Sequence, residues 1–156
     1  MTIPDSVMSI GDFAFESCVG LASVTVPDSV TSIGDGAFWG CDGLTSVTIG
    51  SGITSIGSFA FESCVGLASV TVPDNVTSIG AEAFYGCSSL KSASLPWHLR
   101  GDIPANTFGD CHADLKVTYR ETALYRVTFG KNGGTGGDNY VTATEGQLMP
   151  TPRTAP

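Results

Sequence analysis

Residues 21–43 read LASVTVPDSVTSIGDGAFWGCDG, residues 44–66 read LTSVTIGSGITSIGSFAFESCVG, and residues 67–89 read LASVTVPDNVTSIGAEAFYGCSS. The chain is saying one thing three times over. Residues 1–20 are the tail of an earlier unit, and a degenerate fifth unit begins at Leu90. The run from Phe13 to Asp28 recurs letter for letter from Phe59 to Asp74, so the array grew by duplicating a block of two units. A repeat of this length specifies a solenoid, because each unit can bury its apolar side only against the units before and after it.

Working outward from the unit, Val24 and Val26 flank Thr25, the alternation of a short strand with one face in the core. The Pro27-Asp28-Ser29 step sets a turn, since proline fixes φ and Asp or Ser bonds nearby backbone. Val30 and Ile33 then return inward, and Gly34 is read as the residue that permits a bend. Phe15, Phe38, Phe61, Phe84 and Phe108 should form an inward aromatic column, and Ile10, Ile33, Ile56, Ile79 and Ile103 an aliphatic one. Coils stacked at about 4.8 Å would make five units roughly 25 Å long. The fold class is therefore mainly β, a solenoid of about five coils with a parallel strand ladder.

Cys18, Cys41, Cys64, Cys87 and Cys111 fall one per unit. An odd number spaced at the repeat period argues against a disulfide framework, and four converging ligands are what a soft metal wants, so an inward ladder of reduced thiols is expected.

Charge is distributed unevenly. Residues 1–90 hold nine Asp and Glu and no Lys or Arg, and the net charge of the chain is −8. Nucleic acid and anionic membranes both demand cations that the array lacks, which excludes them as partners. The uncharged span from Gly43 to Phe61 is long enough to suggest a membrane helix, but its Ser, Thr and Gly keep the repeat register, so no direct membrane insertion is expected. The first residues fall inside a repeat, and a leader upstream of Met1 is the expectation.

The fifth unit departs from the pattern by an extra residue between Pro96 and Phe108 and by Lys91, Trp97, His98 and Arg100. Residues 90–119 are read as a capping repeat that closes a 1–119 array, with Leu115–Tyr119 as the last strand. Residues 120–156 lose the period. Tyr125–Phe129 and Tyr140–Thr144 read as strands flanking a glycine-rich loop, Gly130–Asn139, before a Pro-rich tail that should be poorly ordered.

No catalytic constellation is present. His98 and His112 are the only histidines, no nucleophile elbow occurs, and the glycine loop fits neither phosphate-binding motif. Asp110, His112 and Asp114 alternate as metal ligands might, but they lie where earlier units turn and read as a solvated cap. Asp5, Asp28 and Asp74 follow the turn proline, and local turn bonding accounts for each without calcium. No metal or cofactor is expected.

Two surface features remain as candidate binding positions. Ser23, Thr25, Ser46, Thr48, Ser69, Thr71, Ser92 and Ser94 make a hydroxyl-lined, uncharged sheet face. The position after the core phenylalanine alternates Glu16, Trp39, Glu62, Tyr85, and exposed aromatics at Trp39 and Tyr85 suit protein partners or sugars; packing of those rings against a neighbouring loop is the plainer alternative.

The unit LxxVTxPxxVTSIGxxAFxxC, covering residues 1 to about 118, resembles the BspA-like class of leucine-rich repeats, with Gly50 standing in for the proline of one unit. YRVTFGKNGGTGGDNYVTATEGQLMPTP looks like the start of a Listeria–Bacteroides repeat, a small β-grasp-like module. The resemblance implies a bacterial cell-surface or secreted protein with a role in adhesion, most readily to a protein and secondarily to a carbohydrate. A structural spacer is the alternative. The first coil, with strand groups unpaired, is the expected place for self-association.

Overall fold

The computed structural model describes residues 1–120 and, beyond them, the backbone of two short strands, Val127–Thr128 and Tyr140–Val141. The chain divides into two units, Met1–Arg120 and Glu121–Pro156, so the array runs one residue further than the sequence boundary at 119.

Each coil of the first unit has three sides. The front side carries β1 (Ser23–Val26), β3 (Ser46–Ile49), β5 (Ser69–Thr71), β7 (Ser92–Pro96) and β8 (Lys116–Arg120). They are parallel and in repeat register, Val24 opposite Val47 and Val70 opposite Ala93, with Thr2 bridging to Thr25 at the start. The strand expected over Leu115–Tyr119 is β8, paired along its length with β7.

The sequence reading missed a second ladder. β2 (Ser32–Ile33), β4 (Ser55–Ile56) and β6 (Ser78–Ile79) pair in parallel, extended by a bridge from Ile10 to Ile33. The three middle coils thus hold two strands rather than one. Gly34, Gly57 and Gly80 follow these strands with ordinary negative-φ backbone, so their job is close approach and not the expected bend. A Cβ on Gly57 would lie 2.6 Å from the Asp35 nitrogen of the preceding coil.

The third side is a wall of turns. Phe15 N–H donates to the Ala37 carbonyl at 2.8 Å, Phe38 to Ala60 at 2.8 Å and Phe61 to Ala83 at 2.8 Å, linking every coil to the next. Two positions per coil take left-handed backbone here. The first is occupied by Phe13, Gly36, Phe59 and Glu82, the second by Ser17, Gly40, Ser63, Gly86 and Asp110.

The core follows from these three sides. Phe15, Phe38, Phe61, Phe84 and Phe108 form the expected column, nearly parallel rings at successive centroid distances of 5.1, 5.1, 5.3 and 5.4 Å. Ile10, Ile33, Ile56 and Ile79 are buried beside it, while Ile103 is half-buried. Among the cysteines, Cys41, Cys64 and Cys87 are buried, Cys111 is half-buried and Cys18 is exposed. The inward ladder therefore has three full rungs. Cys18 lies in the first coil, where no described coil precedes it to cover the thiol.

The front sheet is divided. β1 pairs β3, and β5 pairs β7 and β8, but β3 and β5 lie side by side without pairing. Val47 and Ile49 of β3 are half-exposed, whereas Val24, Val26, Val70 and Val72 are buried. The same coil carries Gly50 in place of proline, and a Cβ there would sit 2.5 Å from the Pro27 carbonyl. Its turn is thus seated hard against the coil before it, on the side away from the gap.

The fifth coil has contacts of its own. A short 3-10 helix, Trp97–Leu99, follows β7. Arg100 lies 4.6 Å from the Trp97 ring centroid, and the His98 Nε2 is 2.7 Å from the Val76 carbonyl. Arg120 binds across coils, donating to the Ser94 and Val72 carbonyls and to Asp74 Oδ1 at 2.8 Å.

In the second unit, β9 (Val127–Thr128) and β10 (Tyr140–Val141) pair antiparallel, at the places where the sequence set its two hairpin strands. The glycine-rich loop, the Pro-rich tail and most of the segment resembling a Listeria–Bacteroides repeat lie outside the described residues.

Candidate functional site

The alternation of β1, β3 and β5 turns their hydroxyls outward. Ser23, Thr25, Ser46, Thr48, Ser69, Thr71 and Ser92 are all exposed, and Ser94 is half-buried. Register pairs Thr25 with Thr48, while Thr71 faces Ser94 across the other half of the sheet. The hydroxyl face is thus assembled as expected but interrupted between Thr48 and Thr71, where β3 and β5 part.

A second set of hydroxyls has structural work. Thr31, Thr54 and Thr77 donate to the carbonyls of Met8, Thr31 and Thr54 in the preceding coil, at 3.1, 3.0 and 3.1 Å. The turn aspartates also act between coils, which corrects the expectation of local turn bonds. Asp28 Oδ1 accepts from the Ser51 N–H at 2.6 Å and Oγ at 3.0 Å, and Asp35 Oδ1 accepts from the Ser58 N–H at 2.7 Å. Asp74 is engaged by Arg120.

Trp39 and Tyr85 sit two coils apart on the turn wall, in different surroundings. Trp39 is 39% exposed and its ring lies 6.4 Å from that of Phe13. Tyr85 is half-buried over Gly109, where a Cβ would meet its ring at 2.7 Å, and its hydroxyl donates to Asp110. That bond and the Asp110 charge push the Tyr85 hydroxyl up in pKa. Packing on the neighbouring loop therefore describes Tyr85, while Trp39 is presented to solvent.

Sequence reasoning missed two aromatics of this wall, Phe13 and Phe59, which are 49% and 37% exposed. The signal was available: both precede an Ala-Phe pair whose phenylalanine is already assigned to the core, so a second ring one turn-residue earlier has no inward place. Between Trp39 and Tyr85 in the same column stands Glu62, whose carboxyl is raised in pKa by partial burial and then by the charge of Glu82.

Asp110, His112 and Asp114 are separately engaged. The Asp114 N–H donates to His112 Nδ1 at 3.1 Å, and Asp110 accepts from Tyr85. Among the described residues no group of three or more His, Cys, Asp or Glu could hold a metal ion, and no helix is long and apolar enough to cross a membrane.

Parallel strands recurring once per 23 residues, a leucine ladder through Leu44, Leu67 and Leu90, and a column of stacked rings define a leucine-rich-repeat solenoid. The model of the BspA type leucine rich repeat region matches residues 1–115 in six copies, and the chain belongs to that family. A leucine-rich cell surface protein from Faecalibacterium prausnitzii is 36% identical, with a TM-score of 0.71 over 78% of this chain and 32% of its own. A leucine-rich repeat protein from Bacteroides ovatus is 32% identical, with a TM-score of 0.60 over 77% of this chain and 37% of its own. The pneumococcal vaccine antigen PcpA shares the fold at 20% identity, with a TM-score of 0.67 over 78% of this chain and 31% of its own. The chain thus spans about a third of the length of these structures. No curated protein matches it significantly.

Proposed function

We propose that this chain is a non-catalytic binding module of a bacterial cell-surface or secreted protein, contacting a protein partner through surfaces built by repetition. The single observation that supports this most is the turn wall, where Trp39 and Phe13 hold large apolar area in solvent although the coil closes without them. Apolar rings anchored on a rigid scaffold are what a partner's surface can bury at little cost in ordering. The hydroxyl face of Ser23, Thr25, Thr48 and Thr71 offers a flat, uncharged complement, and carbohydrate is the second partner class that such a surface suits. The 120–156 segment would then be part of a Listeria–Bacteroides-type module following the array.

A spacer that binds nothing is the rival reading. The letter-for-letter recurrence of Phe13–Asp28 at Phe59–Asp74 favours it, because a specific surface draws on varied side chains.

Binding of the labelled, purified protein to bacterial and epithelial cell surfaces separates the two. Saturable binding that weakens in a Thr25→Lys, Thr48→Lys, Thr71→Lys variant or in a Trp39→Ser, Tyr85→Ser variant supports the binding reading. Non-saturable association, equal in all variants, leaves the spacer.

A further inference from the structure

The turn wall is a checkerboard. Its left-handed column runs Phe13, Gly36, Phe59, Glu82, and the column three residues further on runs Glu16, Trp39, Glu62, Tyr85. In each of the first four coils, one of the two positions holds a ring and the other a carboxylate or glycine. Successive coils are 5.1 to 5.4 Å apart along the phenylalanine column. Rings and carboxylates therefore alternate along the wall within the reach of one extended partner strand, whose same-side residues repeat at about 6.6 Å.

Two of these rings are held at a conformational cost. Phe13 and Phe59 have φ of 54° and 59°, whereas Gly36 meets the same backbone requirement at 57°. A left-handed bulky residue is strained relative to glycine, which reaches this region freely. Glu82 stands in the same column with a φ of 57°, so ring and carboxylate alike are held there at this cost. Strain retained on Phe13, Phe59 and Glu82, where glycine would relieve it, points to what this column touches outside the molecule.

The sign of the partner follows from charge. Residues 1–90 contain no Lys or Arg to answer their nine acidic groups, and Glu62 and Glu82 stand close enough to raise the Glu62 carboxyl. The two arginines among the described residues are used in the two ways this wall would reward: Arg100 over the Trp97 ring at 4.6 Å, and Arg120 on the Asp74 carboxylate at 2.8 Å. Guanidinium groups stack on aromatic faces and pair with carboxylates, which a hydroxyl-bearing sugar does less strongly.

We infer that the wall formed by Phe13, Trp39, Phe59, Glu16, Glu62 and Glu82 binds an extended, arginine-rich segment of a partner protein. The inference rests on the binding reading above and gives it a partner chemistry. Guanidinium groups lie over the rings, and their charges meet the carboxylates of the adjacent coils.

The probe is a short synthetic peptide alternating Arg and Ser, titrated against the intact chain carrying Trp97→Phe, so that fluorescence reports Trp39. Saturable quenching is expected, weakening as salt rises from about 50 to about 300 mM. A Trp39→Ser, Phe59→Gly variant, read by an environment-sensitive label on Cys18, should lose about tenfold in affinity with a thermal melt no lower than the parent's. Glycine is already the residue of the equivalent position 36, so this variant keeps its backbone. Equal quenching by a Gln-Ser peptide, or undiminished affinity in the variant, overturns the inference. If the peptides fail while a neutral oligosaccharide quenches Trp39, the partner class falls and the binding reading stands. If neither quenches and the chain adheres to no cell surface, both fall.

Discussion

The Cys64 thiol donates to the Phe38 carbonyl of the preceding coil at 3.2 Å, and the relationship repeats along the stack. Cys41 donates to Phe15 at 3.1 Å, Cys87 to Phe61 at 3.2 Å and Cys111 to Phe84 at 3.2 Å. A cysteine recurs at this position because it is small enough for the interior and still offers a weak donor to a carbonyl that would otherwise lack a second partner. The sequence suggested the first reason and not the second.

Thiol reactivity should follow burial. Burial pushes the Cys41, Cys64 and Cys111 thiols up, and Cys87 rises from the ordinary 9.0 to about 12. In the native protein an aromatic disulfide reagent should modify Cys18 fast and Cys111 slowly, with Cys41, Cys64 and Cys87 reacting only after denaturation. A folded-state value above the unfolded one stabilises fully below the unfolded pKa and is lost as pH rises through the folded one. Urea midpoints should therefore decline as pH climbs above about 9, and Cys87→Ala should flatten that decline. Rapid native modification of all five would show that the thiol ladder is open.

Phe61→Ala removes the central ring of the column, fully buried between Phe38 and Phe84. The cost should be about 3 to 5 kcal/mol, against about half a kcal/mol or less for Glu62→Ala beside it. Chemical denaturation of the two variants compares them directly, and equal shifts in midpoint would contradict the inward register.

Gly57→Ala should destabilise by about 1 to 3 kcal/mol through overpacking, since its new methyl would press on the Asp35 backbone. Gly11→Ala, at the equivalent position of the first coil, meets nothing within 4 Å and should be near neutral. A bend requirement, in contrast, would penalise both equally, so the pair of melting temperatures distinguishes close approach from flexibility.

Thr107 occupies the site that holds Ala37, Ala60 and Ala83 in earlier coils, and its buried hydroxyl has no hydrogen-bond partner among the described residues. Thr107→Val keeps the shape and deletes the orphan, so stability should rise by about 1 to 2 kcal/mol. An unchanged or lowered denaturation midpoint would place a partner on that oxygen.

The front strands, their register and the two inward columns were legible because alternation and period agree over many residues: Val24, Val47 and Val70 cannot be moved by one position without turning the whole array inside out. The second ladder was not, since two-residue strands such as Ser32–Ile33 show no alternation to recognise. Phe13 and Phe59 were legible in principle, since the Ala-Phe pair after each fills the core, but their column, Phe13, Gly36, Phe59, Glu82, shows no repeating residue type to draw notice. The gap beside β3 was hidden because Val47 and Ile49 look like their buried counterparts, and only the contacts of Gly50 distinguish that coil. The hydroxyl face was predicted in composition and exposure, whereas its interruption came from this gap.

That gap has a mechanical consequence. Between β3 and β5 the coils are joined through the Ile56–Ile79 ladder, the Phe61–Ala83 wall and the Asn75 amide on the Ser51 carbonyl, with no strand pairing on the front to share the load. Tension applied along the stack must pass there through two sides of the triangle instead of three. A molecule pulled at its ends would open first at this seam and swing on its rear sides like a hinge, yielding before the other coils separate.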